Sequence, residues 1–310
     1  MANINPLVSI VTPTFNQAKY IAETVESVLA QDYKNIEYII LDDGSTDDTQ
    51  RVLEPYRARA TIEAQANMGQ ARTLNKGWQM AKGTYLAYLS SDDILYPRAI
   101  SKLVQALEAD PSRVCVFPDC ELIDEHSNVI KRDLCRPFHL SDLVVEQECY
   151  IGPGALFRRS AFEKAGGWLP ELKLAPDREF WIRLAKFGSF HFLRETLAGY
   201  RMHPHSISYK DVSEVTAMEY IRVLDTYFAD PEVPSDILAR REEAYGHAYL
   251  ILARNAFRSG NYSRGAYFYR LACDRHSPLR APRYKLRLVK HVASKPARIA
   301  LARLRSIVKR

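Results

Sequence analysis

Gly83-Thr84-Tyr85-Leu86-Ala87-Tyr88-Leu89-Ser90-Ser91-Asp92-Asp93 is the stretch on which the fold turns. Its first seven residues read as an interior strand, opened by a glycine and filled with aromatic and aliphatic side chains. Two carboxylates therefore stand where a strand ends. Ligand sites of open α/β sheets lie outside the C-terminal ends of strands. Adjacent acids at such a point repel unless a cation or hydrogen-bond donors compensate. A hard divalent ion bridging protein oxygens to phosphate would do so. The same residues also suit a solvated turn with one aspartate capping a helix.

Upstream, Leu7–Thr12 is a strand broken by Pro13-Thr14-Phe15-Asn16, and Ile21, Val25, Val28 and Leu29 then share one helical face. Tyr38–Leu41 is a second strand, running into Asp42-Asp43-Gly44-Ser45, with a helix expected from about Asp47 to Arg59. Strand and helix alternating in this way argue a mostly parallel sheet. The first strand is followed by neither a glycine-rich dinucleotide turn nor a phosphate-loop lysine motif, which disfavours a nicotinamide enzyme and a P-loop triphosphatase. Asp43 suits either a helix cap or a carboxylate accepting from a base or ribose. Arg72, on a helix entered through Gly69, suits a diphosphate, because its planar fork matches phosphate oxygens; a surface arginine fits equally.

Downstream, Pro97 is expected to open a helix to Ala109, and Arg113–Phe117 and Phe190–Leu197 read as strands. A hairpin signal lies at Glu125–Asn128. Small residues at 152–155 allow close backbone approach to a ligand. Pro176 and Asp177 start a helix whose buried side is Phe180, Trp181 and Leu184. Asp177 is a cap, or a carboxylate free to take a proton. In Tyr200-Arg201-Met202-His203-Pro204-His205 the proline excludes a regular helix, and the two histidines lack the helical metal-pair spacing.

The chain has 310 residues, 47% hydrophobic and 26% charged, enough for one large core and an appendage. Its net charge is +6, yet the ten Lys and Arg between Arg283 and Arg310, with no acid among them, leave −4 for the rest. From Ala297 to Arg310, apolar residues share one side of a helical wheel and basic residues the other, as suits an anionic membrane surface or a helix lying on the protein. No aromatic-interleaved element accompanies this charge, so nucleic acid is not an expected partner. Five cysteines in no scaffold or zinc spacing point to a reducing compartment. The start lacks the character of a signal peptide, and no apolar run is long enough to span a bilayer, so the expectation is a cytoplasmic protein, peripheral on the inner face of the cell membrane.

Taken together, Val8-Ser9-Ile10-Val11-Thr12-Pro13-Thr14-Phe15-Asn16, Leu41-Asp42-Asp43-Gly44-Ser45, Asn67-Met68-Gly69 with Arg72, Ser91-Asp92-Asp93, Gly166-Gly167-Trp168, Asp177–Leu184 and Tyr200–His203 resemble, in order, the signature of the family 2 glycosyltransferases. The resemblance covers roughly residues 7–210. It implies a single nucleotide-binding domain of the glycosyltransferase A type over 1–210, followed by a helical appendage over 211–282 and a basic tail over 283–310. It implies an inverting transfer from a nucleotide-diphosphate sugar to a hydroxyl of a saccharide or lipid-linked acceptor, in surface polysaccharide or glycolipid assembly, with Mn2+ or Mg2+. Asp43 would hold the nucleobase near Pro13, Thr14 and Phe15. Asp92 would contact ribose, Asp93 and His203 the metal, Arg72 the diphosphate, and Asp177 would be the base. The first acid of the family's metal motif is Ser91 here, which leaves fewer carboxylates for the ion.

Two rivals stand beside this reading. A nucleotidyltransferase shares the fold and metal but needs a glycine-rich, lysine-containing activation loop that is absent. A non-catalytic scaffold need not keep Asp43, Asp93 and Asp177 together.

Overall fold

The structure, a computed structural model, describes residues 5–204, 206, 212–286 and 288. The basic amphipathic stretch from Ala297 to Arg310 lies outside the described residues. Two compact units divide the chain: the described part of Met1–Leu140 with Cys149–Ser206, and Ser141–Glu148 with the described residues from 212 on.

The first unit is built on one sheet of nine strands. They are β1 (Val8–Thr14), β2 (Ile36–Asp42), β3 (Thr61–Ala64), β4 (Tyr85–Tyr88), β5 (Ile94–Leu95), β6 (Arg113–Ile123), β7 (Val129–Lys131), β8 (Leu156–Arg158) and β9 (Ser189–Arg201). The order is β3-β2-β1-β4-β8-β6-β9-β5, with β7 added on β6. β3, β2, β1 and β4 pair in parallel. β8 runs against both β4 and β6, so those two point the same way, and β9 pairs parallel to β6. The sheet is thus mostly parallel, as expected from the alternation of elements. The C-terminal ends of β1, β2, β4 and β9 all face one edge.

Helices α1 (Ile21–Leu29), α2 (Thr49–Leu53), α3 (Gln70–Met80), α4 (Ala99–Glu108), α6 (Arg159–Ala165) and α7 (Pro176–Leu184) belong to this unit, and α5 is the short turn Leu140–Val144. α3 lies so close to β1 that a Cβ on Gly77 would meet Val11 Cγ1 at 2.3 Å, so only glycine fits there. Buried Trp78 of α3 anchors an aromatic cluster with Phe157, Phe162, Trp168 and Phe180.

Three boundaries differ from the sequence-based expectation. The helix after Asp47 stops at Leu53 and tightens into a 3-10 turn over Glu54–Tyr56, where Pro55 cannot donate. The helix after Pro97 starts two residues later, behind Arg98 in left-handed conformation with φ 69°. β6 and β9 are much longer than their apolar runs because they pair with each other, from Arg113↔Ser189 to Ile123↔Arg201.

The second unit also contains α8 (Glu214–Ala217), α9 (Glu219–Phe228), α10 (Ser235–Leu238), α11 (Arg241–Arg258) and α12 (Tyr262–Arg275). α11 and α12 form a hairpin about Gly260, with Phe257 packed on Gly265. Among the described residues no helix is long and apolar enough to cross a membrane.

Candidate active site

At the end of β1, Pro13 and Thr14 pair with Leu41 and Asp42 of β2, and Phe15 stands beyond the strand, 47% exposed. The next residue of the β2 end, Asp43, is buried and heavily used. Its Oδ1 accepts from the Met68 N–H (2.9 Å) and Gln65 Nε2 (3.1 Å), and its Oδ2 from the Gly69 N–H (2.9 Å). It therefore holds the entry to α3, where Gly69 has φ 89°. Asp42 Oδ1 accepts from the Ser45 N–H at 3.0 Å, whereas Asp42 Oδ2 and Thr14 Oγ1 are buried with no hydrogen-bond partner among the described residues. Arg72 is exposed on the first turn of α3.

At the end of β4, Asp92 is half-buried and Asp93 buried. Asp92 Oδ2 meets the imidazole Nε2 of buried His203 at 3.0 Å. Asp93 Oδ1 accepts from the Arg201 N–H at 2.8 Å, and its backbone carbonyl accepts from Thr24 of α1 at 2.8 Å. Burial first and the Asp92 charge second hold the Asp93 carboxyl well above the usual range; the Arg201 N–H and charge offset this only in part. β5 carries this arrangement, since Ile94 pairs with Gly199 two residues before Arg201. Two carboxylates and an imidazole, with one buried carboxylate short of donors, fit a divalent cation.

Asp177 is not the cap of α7; that position is Ala175. It lies half-buried in the first turn, where burial raises its carboxyl above the ordinary value and outweighs the Arg178 charge and the Arg178 and Asp177 N–H groups. Tyr88 connects it with the metal-loop acids. Burial first, then the charges of Asp177 and Asp93 among others, keep the Tyr88 phenol well above its ordinary value. Both carboxylates are thus within electrostatic reach of one side chain at the end of β4. The thiol of Cys149 is likewise pushed up to about 12, by burial first and Asp177 next.

Asp92, Asp93 and His203 are therefore in one contact network, and Asp177 acts on the same strand end. Asp43 and Arg72 stand at β2 and α3; the order β2-β1-β4 puts the two acid pairs about 10 Å apart, two strand spacings. Sequence reasoning missed Arg201. A buried arginine at the end of a strand, next to a tyrosine and two residues before a histidine, was the available signal. A second set of potential ligands, Glu146, Glu243 and His247, brings atoms within 4.8 Å of one another in the other unit. There Arg240 already bridges Glu146 (2.7 Å) and Glu243 (2.9 Å), and His247 Nδ1 lies 2.9 Å from the Val145 carbonyl. Arg240 offsets one of the two carboxylates of that cluster, whereas the β4 acids stand beyond the C-terminal end of a parallel strand, where ligands of such sheets bind.

The family described as glycosyl transferase family 2 matches residues 9–166. An uncharacterized glycosyltransferase of Rickettsia prowazekii is 32% identical over 206 residues, which is 64% of this chain and 65% of that protein. TuaG of Bacillus subtilis, a glycosyltransferase assigned by name to teichuronic acid biosynthesis, is 32% identical over 216 residues, 67% of this chain and 84% of TuaG. Among solved structures, the mannosyltransferase PcManGT from Pyrobaculum calidifontis, in complex with GDP-Man and Mn2+, is similar in fold, with TM-score 0.59 and 19% identity over 96% of this chain and 83% of that one.

Proposed function

The chain belongs to glycosyltransferase family 2, and from that premise we propose that it transfers a sugar from a nucleoside-diphosphate donor to an acceptor hydroxyl, with inversion at the anomeric carbon. The observation that carries this reading is the meeting at the end of β4 of the Asp92 carboxylate with the His203 imidazole, at 3.0 Å, and of the buried Asp93 carboxylate with the Arg201 N–H, at 2.8 Å. Pro13, Thr14, Phe15 and Asp43 would receive the nucleobase, Asp92 the ribose, and Arg72 the diphosphate. Asp93 and His203 would hold Mn2+ or Mg2+, which when bound neutralises charge developing on the leaving diphosphate. The Mn2+ and GDP-Man in the similarly folded mannosyltransferase support this donor and metal class.

Asp177 takes the proton of the incoming hydroxyl. Its carboxyl, raised by burial, is a better proton acceptor than that of an ordinary aspartate. The base works only when ionised, so transfer is present above its folded pKa and is lost as pH falls through it. Asp177→Asn is expected to retain donor binding, read by calorimetry, and to lose roughly 100- to 10,000-fold in transfer rate. The wild-type acid limb should stand above the ordinary aspartate value and vanish in the variant. Equal turnover by the variant would remove Asp177 from the role. Uridine-, guanosine- and thymidine-diphosphate sugars, each with and without manganese, are the donors to screen.

The finer reading is a place in surface polysaccharide or glycolipid assembly, in the cytoplasm at the inner face of the membrane. The relative assigned to teichuronic acid biosynthesis supports the first part. The basic composition of 283–310 supports the second. Deleting 283–310 is expected to weaken sedimentation with vesicles containing anionic lipid while transfer to a soluble acceptor persists. Vesicle binding equal to wild type would rule the tail out.

A further inference from the structure

We propose that Arg201 is a positioning residue that sets the Asp92–Asp93 loop for its cation and couples it to the hairpin turn between β6 and β7. This rests on the metal reading above. The Arg201 side chain is only 1% exposed. A guanidinium buried that far must find partners for its N–H groups, and here they come from three segments. Nε donates to the Asp92 carbonyl at 2.7 Å. Nη1 donates to the Asp124 carbonyl at 3.1 Å and to Ser127 Oγ at 2.9 Å, both in the hairpin turn. Nη2 donates to the Glu23 carboxylate of α1 at 2.6 Å. The backbone N–H of the same residue holds Asp93 Oδ1.

The guanidinium thus grips the metal loop at the main chain of Asp92 and holds its own strand end in register, so that the backbone N–H, which a lysine would also carry, meets the side chain of Asp93. Fixing Oδ1 fixes the rotamer of Asp93, and with it the direction in which the second oxygen can be offered. Tyr20 supports both sides of this arrangement. Its ring centroid lies 5.1 Å from the Arg201 guanidinium carbon and 4.6 Å from the His203 ring centroid. The charge of Arg201 is paired directly with the Glu23 carboxylate, and neither Asp92 nor Asp93 has its carboxylate bonded to the guanidinium. A lysine supplies the charge but not the fork, and can reach only part of this set.

The test is Mn2+ titration of the full chain, followed by electron paramagnetic resonance, with Arg201→Lys, Ser127→Ala and Asp93→Asn beside wild type. Groups that hold a metal ligand in place commonly matter by roughly 10- to 100-fold in affinity, and Arg201→Lys should raise the Mn2+ Kd by that much. Ser127→Ala removes one anchor on the remote turn and leaves the arginine in place. It also removes the hydroxyl's bond to Glu23 Oε1 at 2.6 Å; it should weaken Mn2+ binding by roughly twofold to tenfold, and it keeps the proposal testable if the lysine variant fails to fold. If Asp93→Asn loses Mn2+ while Arg201→Lys and Ser127→Ala keep the wild-type Kd and only melt earlier, the arginine is merely structural and the proposal is overturned. If Asp93→Asn binds Mn2+ like wild type, the metal reading itself fails and takes this one with it.

Discussion

Two pairs of adjacent aspartates end parallel strands of the same sheet, and they are solved in opposite ways. At the end of β2, Asp43 accepts three N–H bonds from residues 65–69, and Asp42 accepts one from Ser45. The protein supplies the compensation itself. At the end of β4, Asp93 is as deeply buried but accepts one N–H, from Arg201, and faces the charge of Asp92. Compensation there is incomplete. A carboxylate supplied with donors holds a loop in place, and one short of donors is poised for a cation. Adjacent acids in a sequence therefore do not announce which they are; the backbone brought to them decides.

The largest expected difference is at the second pair. Asp93→Asn keeps an oxygen for the Arg201 N–H but removes a buried charge beside another carboxylate. Transfer should fall roughly 100- to 1,000-fold, the scale of losing an electrostatic stabiliser of the transition state. The metal-free protein should become more stable, by about 1 kcal/mol or more, since like-charge repulsion and desolvation are both relieved. A lower midpoint in chemical denaturation for metal-free Asp93→Asn would erase the distinction between the two pairs.

How far this was legible beforehand follows the same division. Strands that end in acids, and the alternation with helices, could be read from apolar runs, so the parallel part of the sheet was predictable. The lengths of β6 and β9 were not, because residues such as Gly199, Tyr200 and Arg201 are in strand through pairing with Glu121, Leu122 and Ile123 of a distant segment. Likewise the sequence leaves Asp43 between cap and ligand, because its donors come from Gln65, Met68 and Gly69, more than twenty residues away. Nothing local assigns Arg201 a task, since its partners Glu23, Asp92, Asp124 and Ser127 are scattered over the chain. Ser141–Glu148 carried no local sign of joining the helical unit. Local pattern reveals elements; it does not reveal which distant N–H reaches which carboxylate.

The first pair offers a stability effect of the opposite sign. Asp43→Ala withdraws the acceptor of two backbone N–H groups at the entry to α3, where no side chain of the helix's own N-terminal residue caps it among the described residues. Bonds to a charged acceptor are typically worth about 1.5–3 kcal/mol each, but water can replace part of the loss where residues 65–69 are exposed. A net destabilisation of about 2–3 kcal/mol is expected, with weaker donor binding as the loop loosens. Asp43→Asn sharpens the point. Its amide oxygen can serve one side, but its NH2 must then face an N–H on the other, donor against donor. That variant should also be less stable than wild type, while Asp93→Asn in the metal-free state should be more so. The same substitution at two neighbouring strand ends is then expected to move the denaturation midpoint in opposite directions, and a shared direction would show that both pairs are compensated by the same means.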